Sequence, residues 1–200
     1  MLGGTITFGH APATVNHHNP GRQQIQQIFQ AELFRVYTNE DIVGCELGGV
    51  LKNVIAIASG MADGLGAGDN TRSAVITRGL SEVTRMGVAL GGEPLTFSGL
   101  AGMGDLVATC ISTQSRNRHV GERLGQGQTI EQIIEEMHMV AEGVKTSKVV
   151  MELADELGLD MPIASEVYGV CHGGNSAAEA YRGLLRRDTG REMDGITSAG

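Results

Sequence analysis

Tryptophan is absent from the 200 residues, and four Phe and three Tyr make up an aromatic share of only 4%. A core must therefore be built from Leu, Ile, Val, Ala and Met. Cysteine is scarce and odd in number: Cys45, Cys110 and Cys171 stand far apart, with no CxxC pair. That excludes a disulfide framework and points to a reducing compartment. Positive charge is also short, with a formal net charge of −8. A chain of that balance is a poor general partner for nucleic acid, whose phosphates need a basic face. One small anionic ligand needs only a local cluster and is not excluded. No apolar run in the sequence reaches membrane-spanning length. The first residues lack a basic flank before an apolar core, so they do not read as a signal peptide. Cytoplasm is the expected location. The six histidines form no HxH or HExxH arrangement, so no metal site is expected.

Glycine is abundant, at 30 of 200 residues, with no collagen-like period. Such glycines mark turns and close approaches of backbone. The segment ELGGVLKNVIAIASG, from Glu46 to Gly60, organises the rest. Leu47, Val50, Leu51, Val54, Ile55 and Ala58 recur at spacings of three and four, which predicts a helix with one buried stripe. Lys52 shares a helical side with Gly48, Gly49, Ala56 and Ser59. That side is almost bare. The lysine either snorkels to water over tightly packed glycines, or faces a ligand in a site where loss of water favours its neutral form for proton transfer.

Before this helix, residues 3–15 and Phe34 to Thr38 carry strand signals, with a helix from Gly21 to Leu33 between them and Pro20 at its first turn. Strand, helix, strand is an α/β pattern too short to close a sheet, as at the end of a larger α/β domain. From Asn39 onward the signals are helical. Helices are expected at about residues 70–90, 115–124, 129–137, 142–157, 162–170 and 176–186, with a glycine-rich loop opening into a helix at 98–110. The last dozen residues are expected to fray.

Three clusters could carry chemistry. Asp105 follows Gly99, Gly102 and Gly104, where it either caps a helix or accepts from a substrate hydroxyl or pairs with a lysine. Ser115, Arg116 and Asn117 open a helix. Arginine at a helix N-terminus is electrostatically misplaced unless an anion such as phosphate joins it there. Val140 and Glu142 flank a turn where a carboxylate either starts the helix or binds a ribose diol.

These segments, ELGGVLKNVIAIASGMADGLGAGDNTRSAVITRGLSE, SGLAGMGDLVATC, SRNR and VAEGVKT, resemble in order and spacing the NAD(P)-dependent sn-glycerol-3-phosphate dehydrogenases of bacteria. The resemblance runs from about Phe34 to Arg186. It implies a Rossmann domain followed by an all-α substrate domain. On this reading the chain is mainly α: residues 1–38 are the remnant of the dinucleotide-binding domain, 39–188 the helical substrate domain, and 189–200 a flexible tail. The resemblance makes Lys52 the proton donor or acceptor at the carbon-2 oxygen. It places Asp105, Ser115, Arg116 and Asn117, with Lys52, around glycerol 3-phosphate or dihydroxyacetone phosphate. Arg116, Val140 and Glu142 would hold NAD(P)H. The implied product supplies the glycerol backbone of phospholipids. The family's GxGxxG-type loop is missing, since GGTITFG lacks the spacing and the following helix. The chain is therefore expected to be a fragment unable to turn over alone. The alternative is a non-catalytic helical module that binds glycerol phosphate or dimerises with full-length chains.

Overall fold

The computed structural model describes residues 20–30, 36–137 and 141–186, all helices and turns. Helix α1 spans Pro20–Phe29, with proline in the first turn, where its missing N–H costs nothing. The strand expected at Phe34 to Thr38 is not formed where it can be followed: Val36 to Thr38 are irregular, and the Val36 carbonyl accepts from Gln26 Nε2 at 2.7 Å instead of from a neighbouring strand. The strands expected at 3–15, like residues 189–200, lie outside the described residues.

Helix α2, Ile42–Gly64, is the axle of the fold. Five helices pack around it: α3 (Asp69–Ala89), α5 (Asp105–Ile111), α6 (Arg116–Gly125), α8 (Glu142–Leu157) and α9 (Pro162–His172). The single buried stripe expected of α2 is therefore a correction. Asn53, Ala56, Ile57 and Ser59 are buried along with the stripe, while Val50 is 49% exposed. By length and apolarity α2 could cross a membrane, contrary to the reading of the sequence, but here its apolar residues form the core of the helical cluster. Short helices α4 (Pro94–Ser98), α7 (Ile130–Met137) and α10 (Ala177–Arg186) complete the set. The capping box expected at Thr129 is formed: Gln132 Oε1 accepts from the Thr129 amide, and Thr129 Oγ1 accepts from the Gln132 amide.

Two acidic residues fasten this arrangement. Asp41 caps α2, accepting from the Gly44 amide at 2.7 Å, and its second oxygen accepts from the Glu93 amide at 2.7 Å across the molecule. Burial alone would raise its pKa, but these amides and the Thr96 hydroxyl outweigh burial and hold it below the ordinary value. Glu82 of α3 is 2% exposed and accepts from the amides of Ile163 at 2.7 Å and Ala164 at 3.0 Å. It thereby supplies the first turn of α9 with the acceptors that a local capping side chain would otherwise give.

Burial pushes the Glu82 carboxyl from 4.5 up to about 7, against the downward pull of those two amides. Between those values the folded chain holds a proton that the unfolded chain has released. The stability tied to this group is therefore full below the lower value and falls as pH rises through the window. Glu82→Gln is expected to flatten that part of the pH–stability curve. It should also cost about 1–3 kcal/mol, because an amide side chain leaves one of the two N–H groups unpaired. Urea unfolding of both proteins across the window measures both effects.

Candidate active site

The centre of α2 carries Lys52, and the approach to α5 brings Asp105 to it. Residues Leu100–Gly104 form a π-helical turn rather than the expected loop, and it runs directly into α5. Glycine is required inside that turn, since a Cβ at Gly102 would overlap the backbone of Phe97. The turn also lies against α2: a Cβ at Gly48 would come to 2.7 Å from the Ala101 carbonyl oxygen. Asp105 does not cap its helix with its side chain. It accepts from Lys52 Nζ at 2.5 Å, with side-chain exposures of 19% for the lysine and 25% for the aspartate. An ammonium and a carboxylate are thus held together, partly open to solvent.

The second cluster reaches α2 through an amide ladder. Ser115 caps α6, its Oγ accepting from the Arg118 amide at 3.2 Å. Arg116 and Asn117 then open the helix. Asn117 is buried and donates from Nδ2 to Asn53 Oδ1 at 2.9 Å. Its own Oδ1 accepts from the Gly143 amide at 2.9 Å. One hydrogen bond between side chains thus ties the first turn of α6 to α2 at Asn53, the residue after Lys52.

The third cluster closes the ladder. Glu142 begins α8 without capping it; one of its oxygens accepts from Asn53 Nδ2 at 3.4 Å. The side chain is exposed, and its other oxygen has no partner among the described residues. Gly143 has no room for a side chain, because a Cβ there would meet the Asn53 carbonyl oxygen at 2.6 Å. Val140 lies outside the described residues.

Thus hydrogen bonds join Lys52 to Asp105 and Asn53 to both Asn117 and Glu142, while Ser115 and Arg116 stand at the start of the α6 that carries Asn117. Sequence reasoning missed Asn53, the residue that joins α2, α6 and α8. The signal was a buried amide inside an apolar helix, which needs partners. It also passed over Asp63, at the end of α2, which binds Arg118 at 2.8 Å and Arg72 at 2.8 Å and so anchors α6 and α3 below the site. The three cysteines stand apart from this chemistry: all are buried, and burial pushes the Cys110 and Cys171 thiols up to about 12.

Comparison with known proteins agrees with this layout. Residues 41–182 match the family model described as NAD-dependent glycerol-3-phosphate dehydrogenase C-terminus. A glycerol-3-phosphate dehydrogenase [NAD(P)+] of Sphingopyxis alaskensis is 61% identical over 168 residues, covering 84% of this chain and 50% of that protein. One from Mycobacterium avium is 55% identical over 194 residues, covering 95% of this chain and 56% of the relative. Among solved structures, the glycerol-3-phosphate dehydrogenase of Coxiella burnetii superposes with a TM-score of 0.80 at 38% identity, over 86% of this chain and 53% of the other. The chain therefore spans about half the length of the relatives it matches. It belongs to the glycerol-3-phosphate dehydrogenase family and corresponds to that family's C-terminal helical part.

Proposed function

We propose that this chain is the substrate half of an NAD(P)-dependent dehydrogenase that interconverts sn-glycerol 3-phosphate and dihydroxyacetone phosphate. The observation that carries this reading is the half-open Lys52–Asp105 pair on the helix that Asn53 and Asn117 fasten to the first turn of α6. When bound, the nicotinamide supplies the hydride to carbon 2 and takes it back in the reverse direction. The chain's own residues do the rest. Lys52 gives a proton to the carbon-2 oxygen as the ketone is reduced and recovers it on oxidation, so that no free alkoxide forms. Asp105 orients the ammonium and accepts from a substrate hydroxyl. Arg116 and the start of α6 take the phosphate, with Ser115 and Asn117 beside it.

The residues present also fit the ribose of a dinucleotide. The unpartnered oxygen of Glu142 faces outward, as a diol would need, and Arg116 stands at the neighbouring helix start. Val140 belongs to the same reading through its place beside Glu142 in sequence. Residues 1–38 as the end of a dinucleotide-binding domain, 39–188 as the substrate domain and 189–200 as a tail form part of this proposal. So does a role in supplying glycerol backbone for phospholipids.

The test is dihydroxyacetone-phosphate-dependent oxidation of NADH and NADPH. It compares the 200-residue chain alone with a full-length dehydrogenase carrying it as the C-terminal part. Activity is expected only in the full-length protein. A folded full-length protein that binds NADH but does not oxidise it with this substrate would overturn the reading.

The phosphate assignment has its own test. Arg116→Ala in the full-length enzyme is expected to raise KM for dihydroxyacetone phosphate by about 10- to 100-fold, the loss of one or two charge-assisted hydrogen bonds. An unchanged KM would move the phosphate elsewhere.

A further inference from the structure

Glycine is the weakest helix former after proline, so a glycine inside a helix calls for a local reason. Helix α2 contains five glycines, Gly44, Gly48, Gly49, Gly60 and Gly64. Four have a reason on view. A Cβ at Gly44 would overlap the Asp41 carboxylate, one at Gly60 the Arg118 carbonyl oxygen and one at Gly64 the Glu122 carbonyl oxygen. At Gly48 it would come to 2.7 Å from the Ala101 carbonyl oxygen. Gly49 is different: no atom of the described residues lies within 4 Å of where its Cβ would stand, and among the described glycines inside helices it is alone in this. The other described glycines with open space beside them serve turns. Gly66, Gly91, Gly127, Gly158 and Gly174 have positive φ, and Gly68 caps α3.

The position of Gly49 supplies the reason its own surroundings lack. It lies three residues before Lys52 and four before Asn53, one helical turn from each. Its carbonyl oxygen accepts from Asn53 Nδ2 at 3.4 Å, the same amide that reaches Glu142. The open space beside Gly49 therefore lies on the stretch of α2 that carries Lys52 and Asn53, one helical turn before them.

We propose that Gly49 contacts the substrate: the space beside it receives the reacting end of the three-carbon substrate, and the missing side chain sets the room available beside carbon 2. This rests on the function proposed above. It adds a residue that limits the size of that end of the substrate, distinct from the groups that bind the phosphate or move the proton.

Gly49→Ala in the full-length dehydrogenase tests it. A methyl group placed in the space should lower kcat/KM for dihydroxyacetone phosphate by about tenfold or more, the order by which one carbon group is discriminated in a tight pocket. NADH affinity should be unchanged. The melting temperature should hold or rise, because alanine favours the helix and no protein atom is displaced. Three results would each overturn the proposal. Unchanged kcat/KM would mean that the space is not used. Weakened NADH binding with normal substrate kinetics would assign it to the dinucleotide. A lowered melting temperature would mean that another part of the protein fills it. If the unsubstituted full-length protein is itself inactive on this substrate, the proposed function falls and takes this inference with it.

Discussion

Lys52→Met in the full-length dehydrogenase is expected to lower kcat by about 10²- to 10⁴-fold, the range supplied by a positioned acid or base. The ammonium has few other routes by which water could replace it. Its side chain is 19% exposed, and it sits 2.5 Å from Asp105 on a helix buried on most sides. Methionine keeps the length of the side chain and removes the charge and the proton. The residues proposed to bind the phosphate stand at the start of α6 and are untouched, so KM should move much less than kcat. NADH binding should also persist. The measurement is steady-state oxidation of NADH with dihydroxyacetone phosphate, paired with a fluorescence titration of the cofactor. Turnover near the unsubstituted level would remove Lys52 from the proton-transfer role.

The largest effect on stability is expected at the crossing of α2 and α6. There the two backbones touch through glycines on both sides. A Cβ at Gly60 would overlap the Arg118 carbonyl oxygen and come to 2.8 Å from the Glu122 nitrogen. A Cβ at Gly125 would meet the Met61 carbonyl oxygen at 2.5 Å and the Gly64 Cα at 2.8 Å. Backbone cannot rotate away as a side chain can. Gly60→Val is therefore expected to cost about 4 kcal/mol or more, above the usual range for added volume. Against a typical stability of about 5–15 kcal/mol, that leaves little or no folded protein at elevated temperature. Any folded remainder should show weaker substrate binding, because pushing α6 outward stretches the Asn117–Asn53 bond. Urea unfolding midpoints and soluble yield test this; a loss below about 1 kcal/mol would show that the helices part easily.

What was legible in the sequence was mostly local. Helix α8 runs over Glu142–Leu157, where periodicity placed it, and the Thr129 capping box needs only residues three apart. The turn at Leu100–Gly104 was misread as a loop because dense glycine usually signals one. Here the glycines let a helical turn press against α2 and Phe97. The single stripe expected of α2 failed for a related reason. Periodicity describes a helix lying on a surface, and α2 is surrounded. Asp105 could be given three uses from the sequence; its partner, 53 residues away, selects one of them in the fold. Asn53 gave no periodic signal, since its meaning lies in Asn117 and Glu142, 64 and 89 residues further on.

The trans cap by Glu82 bears on the order in which the chain can assemble. The amides it receives lie 81 and 82 residues downstream, at the start of α9. Starting a helix is the costly step, and α9 has no side chain of its own at its N-cap to lower that cost. Its first turn can settle only after α3 has formed and the intervening chain has closed the loop. Helix α9 is thus expected to settle late, docking on an α3 that is already in place.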